Sequence, residues 1–166
     1  DKLFGKSIYQ TFIFVAWTVI PNTVLGLLIA MMIHRIQSTI YAAIILGCFF
    51  IPHILPVTVV TDLWGSMTSN DLGIIQWIVK MFQDDPIPFF RHKVWAMPSV
   101  ALITVWWTVG FNVLLFLAGL KMINPEIYEA SDIDGANKWH KFRFITWPLI
   151  WPITALVLTL QLIFQL

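Results

Sequence analysis

The chain has 166 residues, of which 58% are hydrophobic and only 11% charged, where soluble domains carry about 25% charged residues. That balance excludes a disordered chain, which needs low hydrophobicity and high net charge, and leaves more apolar surface than a soluble domain of this size can bury. Ten basic against nine acidic residues leave a net charge of +1 beside one cysteine, Cys48, which excludes an electrostatic nucleic-acid binder, an internal disulfide and a cysteine metal cluster.

The expected fold is therefore all-α, a polytopic transmembrane helical bundle. Crossing about 30 Å of hydrocarbon takes roughly 20 mainly apolar residues. Four windows qualify: 8–33, closed by His34-Arg35; 40–62, apolar as far as Val60; 94–120, closed by Lys121; and 148–166. These runs are continuous, whereas barrel strands alternate. The chain opens at Asp1 without a leader segment and stops at Leu166 inside an apolar run, so a fragment of a longer chain is expected, with at least one further span.

Residues 34–39 read as a tight polar turn. The 65–93 connection is longer, and Leu72–Phe82 suits a short interfacial helix ahead of Pro86 and Pro88. The 121–147 connection is the most charged. Counting Lys and Arg, Arg35, Lys121, Lys138, Lys141 and Arg143 fall on one side, and Lys2, Lys6, Lys80, Arg91 and Lys93 on the other. Charge bias thus assigns no orientation.

Within 121–147 the residue types predict helix, break, helix. Asn124 suits an N-cap and Pro125 the first helical position. Glu126 falls at the positive end of the helix dipole. Ile127, Ala130 and Ile133 are spaced to share a face. Gly135 can take the left-handed conformation that ends a helix. Asn137 can cap a second short helix carrying Trp139, Phe142 and Ile145 on one side, before Pro148 opens the next span. Charges alone suit a solvated linker, but two capped helices with apolar faces are more order than a linker needs. A small face at Ala130 invites another protein.

Inside the spans the polar residues are candidates for a solute path. His53 lies between Pro52 and Pro56, where prolines free backbone carbonyls as in broken helices that line cavities. Asn22 and Asn112 suit helix-to-helix hydrogen bonds or path contacts. Trp107, with Trp106, can stack on a ligand ring or pack in the core. Trp64 and Trp95 read as interface anchors. Asp132 to Gly135 lacks the further ligands of a calcium loop. With no phosphate-binding G-x-x-x-x-G-K-[ST] loop and no nucleophile–base pair, no catalytic and no metal residues are assigned.

The 29-residue stretch NPEIYEASDIDGANKWHKFRFITWPLIWP, residues 124–152, closely resembles the EAA loop of binding-protein-dependent ABC importer permeases. The family pattern falls on Glu129, Ala130, Ser131, Gly135, Ile145 and Pro148. Asp134, Gly135, Ala136, Trp139 and Phe142 resemble its carbohydrate-uptake branch. Ser131 replaces the second Ala, and Trp147 stands where Leu is usual. GLLIAMMIHR, FFIPHILPVTVVTDLW and GFNVLLFLAGLKMINPEIYEA are similar to other stretches of that family, so the resemblance covers most of the chain.

The resemblance implies a type I importer permease core in a bacterial or archaeal inner membrane, with 121–147 cytoplasmic and 65–93 outside. It implies a coupling helix in which Glu129, Ala130, Ser131, Asp134, Gly135 and Ala136 meet a dimer of ATP-binding subunits. ATP and Mg are expected on those subunits and no cofactor on this chain. A second homologous permease, an extracytoplasmic solute-binding protein and membrane lipid are the other implied partners. The implied function is import of a sugar or related solute, without enzymatic chemistry on this chain. The alternative, an ion-gradient-driven transporter or channel subunit, calls for buried charges in the spans, where His53 is the one ionisable candidate. A membrane enzyme would call for clustered ligands.

Overall fold

The computed structural model describes residues 2–69, 73–82 and 85–165. Asp71, Leu72, Asp84 and Leu166 lie outside the described residues. In chain order the elements are α1 (Lys2–His34), α2 (Thr39–Ile54), α3 (Val57–Met67), α4 (Ile74–Lys80), α5 (Ala96–Lys121), α6 (Pro125–Ile133), α7 (Lys138–Lys141), a π-helical turn (Phe142–Thr146) and α8 (Trp147–Gln165). Three helical stretches among the described residues are long and apolar enough to cross a membrane: Phe4–His34, Ala96–Lys121 and Lys138–Gln165.

The core forms where α1, α5 and α8 meet. Leu27, Ala30 and Ile33 of α1 pack with Val109, Val113, Phe116, Leu117 and Leu120 of α5 and with Ile150 and Val157 of α8. Steps of three, four and seven put each set on one helix face. Polar side chains pin the same helices together. Asn22 Nδ2 donates to Thr108 Oγ1 at 2.6 Å, Gln161 Nε2 donates to Thr23 Oγ1 at 3.0 Å, and Thr18 pairs with Gln165. Such bonds contribute about 0.6 kcal/mol each within a membrane, so they set register more than stability.

The 40–62 run differs from a single straight span. It is two helices, α2 and α3, bent by 97° at a short break. Pro56 cannot donate an N–H, and its ring pushes the preceding residue out of the helical region. Leu55 accordingly sits at φ −69°, ψ 134°. α2 packs on α5, and the backbones approach closely at Gly110, where a Cβ would strike the Phe49 backbone carbonyl. Yet α2 has no fully buried residue; Ala42 and Leu46 are its partly buried contacts with the core.

The last span also differs from expectation. The helical path does not begin at Pro148 but runs unbroken from Lys138 through the π turn. Pro148 has no N–H for the carbonyl four residues back. The widened turn before it, closed by Trp147 N–H on the Phe142 carbonyl, carries the chain past that missing bond. On the other side of the bundle, α4 is tied to the 85–95 segment by buried Gln76, whose Nε2 donates to the Ile87 carbonyl and whose Oε1 accepts from Ile87 N–H.

Candidate functional site

Local chemistry builds the 124–137 segment. Asn124 Oδ1 accepts from Glu126 N–H at 3.1 Å and Pro125 opens α6. At the other end Gly135, at φ +74°, lets its own N–H reach the Asp132 carbonyl and Ala136 N–H reach the Ser131 carbonyl. That double bond pattern is a Schellman closure, and it needs the left-handed residue. Asn137 Oδ1 then accepts from His140 N–H at 2.9 Å, starting α7. Both ends of a nine-residue helix are therefore fixed by side chains and a glycine. Its orientation is fixed by Tyr128, whose hydroxyl is 2.9 Å from Thr146 Oγ1 in the π turn, and by Lys141, which pairs with Asp132.

The faces of α6 follow from this anchoring. Tyr128 is half-buried and Ser131 is 8% exposed. Ile127, Glu129, Ala130, Ile133 and Asp134 are exposed, with Ile133 at 88%. Glu129, Ala130, Asp134 and Gly135 thus stand free on the outer side, and Ala136 is half-buried. Ser131 departs from the docking role expected of it. Its side chain turns into the chain's own packing, and its hydroxyl donates to the Tyr128 carbonyl at 2.7 Å. Two isoleucines on this short charged helix face outward, Ile133 almost fully and Ile127 in part.

The polar candidates within the spans divide into two groups. His53 and Trp107 come together across α2 and α5, with ring centroids 6.5 Å apart. Phe111 stacks on His53 at 5.2 Å and Phe50 lies at 5.8 Å. Trp107 Nε1 donates to the Leu55 carbonyl at 3.1 Å, so the indole satisfies a backbone acceptor at the α2–α3 break. His53 Nδ1 is buried with no hydrogen-bond partner among the described residues. Sequence reading missed Phe50 and Phe111, although Phe50 lies three residues before His53 and Phe111 four after Trp107, spacings that share helix faces.

Asn22 and Asn112 belong to the second group, buried between α1 and α5. Asn22 is satisfied through Thr108 on one side only, and the Oδ1 of Asn22 and the Nδ2 of Asn112 lack partners among the described residues. Trp106 packs edge-on against Trp64 at 5.5 Å, which makes Trp64 an internal contact more than a free anchor.

Residues 6–166 match the model of a protein family described as the binding-protein-dependent transport system inner membrane component. Over 172 residues the chain is 30% identical to the inner membrane ABC transporter permease protein YcjO of Escherichia coli (strain K12), covering 99% of this chain and 57% of the relative. It is 31% identical over 165 residues to the arabinooligosaccharides transport system permease protein AraP of Bacillus subtilis (strain 168), covering 98% of this chain and 52% of the relative. A crystal structure of a bacterial ABC transporter involved in the import of the acidic polysaccharide alginate superposes with a TM-score of 0.88 at 25% identity, covering 98% of this chain and 57% of that one. The chain spans just over half the length of these relatives. It belongs to the family of binding-protein-dependent transport system inner membrane components.

Proposed function

We propose that this chain is permease machinery of an ATP-driven importer for a sugar or related solute, such as an oligosaccharide, a polyol or a glycerol-phosphate-like compound. The observation that carries this reading is the outer face of α6. A helix capped at both ends and tied through the Tyr128–Thr146 contact to the π turn that leads into α8 presents Ile127, Glu129, Ala130 and Ile133 on its exposed side. A rigid short helix with exposed isoleucines fits a groove on another protein. In this reading the other protein is an ATP-binding subunit, which carries ATP and Mg, and Glu129 meets a basic group there. Closure of two such subunits pulls on α6, and the tie to α8 passes that motion into the spans.

A second permease and an extracytoplasmic solute-binding protein complete the proposed assembly, with 121–147 cytoplasmic and 65–93 outside. Support for a sugar comes from relatives named for trehalose and maltose, arabinooligosaccharides and lactose transport. The solute path is assigned to the break between α2 and α3. There the aromatic faces of Phe50, Trp107 and Phe111 suit the C–H face of a sugar ring, and His53 Nδ1 supplies a polar contact. Asn22 and Asn112 would extend the path toward α1.

The test is a mild-detergent pull-down of the full-length tagged protein beside its Glu129→Lys variant. Co-purification of an ATPase and a second permease with wild type, and loss of the ATPase from the variant, is the expected result. Transport should fall about tenfold or more, as for reversal of an interfacial charge, while membrane insertion is unchanged. A variant that kept the ATPase and full transport would remove Glu129 from the docking surface.

A further inference from the structure

We propose that a basic cavity behind α6 binds a phosphate-bearing group, supplied by an acidic lipid headgroup or by free phosphate. The cavity has a volume of about 350 Å³ and lies between the end of α1, the end of α5 and the α6-to-α8 connection. That volume is at the lower end of ordinary ligand clefts, which run from about 300 to 1,000 Å³. Its basic lining is Arg35, Lys138 and Lys141 with the His34 imidazole beside them, and no carboxylate of the described residues lines it. Lys141 already pairs with Asp132. Arg35 and Lys138 form no ion pair with any of the described residues.

Gathering like charges around one cavity costs free energy unless an anion answers them. Helix capping explains part of the cluster, because His34 and Arg35 close α1 where the dipole favours a cation. It does not explain Lys138, the first residue of the continuous 138–165 helical path, at the end where the dipole disfavours a cation. The hydroxyls of Tyr128 and Thr146 also line the cavity. Their protons are engaged when Tyr128 donates to Thr146 and Thr146 donates to the Lys141 carbonyl, so the free donors are the bases. Guanidinium and ammonium groups are the donors that suit phosphate oxygens.

The floor of the cavity is apolar. Leu120 belongs to the core and Met31 packs against it, with Phe142 beside them. A basic rim over an apolar floor at the ends of spans matches a headgroup whose glycerol and first methylenes continue into the bilayer. This favours the lipid source. Only the choice of leaflet rests on the proposed orientation.

The experiment is native mass spectrometry of the full-length protein, with the subunits that co-purify, in micelles containing phosphatidylglycerol and phosphatidylcholine. Each base near an anionic group is worth about a factor of five, so the R35Q/K138Q double variant should retain phosphatidylglycerol about thirty-fold more weakly. The charge-conserving R35K/K138R variant should retain it as wild type does. R91Q/K93Q, which removes two bases from the 65–93 segment, should also behave as wild type. Equal retention by R35Q/K138Q, loss in R35K/K138R, or equal loss in R91Q/K93Q each overturns the proposal. Inorganic phosphate that displaces the lipid assigns the site to free phosphate; lipid that resists displacement assigns it to the headgroup. Labelling K138C by an impermeant maleimide, with Cys48 and every other native cysteine of the full-length protein replaced, reads orientation separately. Reaction from outside would overturn the proposed orientation and leave the binding result standing.

Discussion

His53 is the residue at which packing and polarity pull in different directions. Its ring is well placed for stacking, between Phe50, Trp107 and Phe111, but its buried Nδ1 has no partner among the described residues. A buried polar atom left unpaired costs about 1–3 kcal/mol. His53→Phe keeps the stack and removes the cost, so the melting temperature in detergent should hold or rise. If the nitrogen meets solute, transport by the same variant should fall about tenfold or more, as when a polar contact to a substrate is lost. Unchanged transport together with a raised melting temperature would assign the ring to packing alone. The ionisable residue between two prolines was legible in the sequence. Its aromatic neighbours were not, because they depend on which faces of α2 and α5 meet.

Among the elements, those governed by local chemistry were legible and those governed by neighbours were not. Asn124, Pro125, Gly135 and Asn137 act through their own backbone or the next turn, and the helix ends fall where those residue types put them. The inward turn of Ser131 was hidden because burial depends on which face of α6 meets the rest of the chain, and one contact that sets this, Tyr128 with Thr146, joins residues 18 positions apart. The 97° bend was likewise hidden: Pro56 marks a break, but its angle depends on what α2 and α3 rest against. Two substitutions separate these kinds of control. Gly135→Ala forces a side chain into left-handed backbone, costing about 1 kcal/mol. Amide exchange should quicken across 131–136 while the melting temperature moves little. Gly110→Val drives side-chain atoms into the Phe49 carbonyl, a tertiary clash of about 1–3 kcal/mol. It should lower the melting temperature and loosen the His53–Trp107 contact, seen in tryptophan fluorescence. A Gly110→Val protein with wild-type stability would mean that α2 does not approach α5 as closely as described.

For the whole molecule the decisive question is what solvent each exposed surface meets. The three long helices bury only 22–39% of their most apolar windows, and α2 buries none, so lipid or another chain must cover the rest. Composition alone made the membrane legible, because no aqueous fold accommodates such surface. It did not say which faces stay wet. Cys48 gives a direct reading, being exposed on α2 and set about 140° around that helix from His53. A thiol reacts as its thiolate, which forms in water and not in hydrocarbon. Cys48 in sealed vesicles should therefore resist an impermeant maleimide applied from either side, despite its geometric exposure, and react once detergent unfolds the chain. Rapid labelling in intact vesicles would mean that this face of α2 borders water. The solute path would then have to be moved from the His53 side of the helix to the Cys48 side.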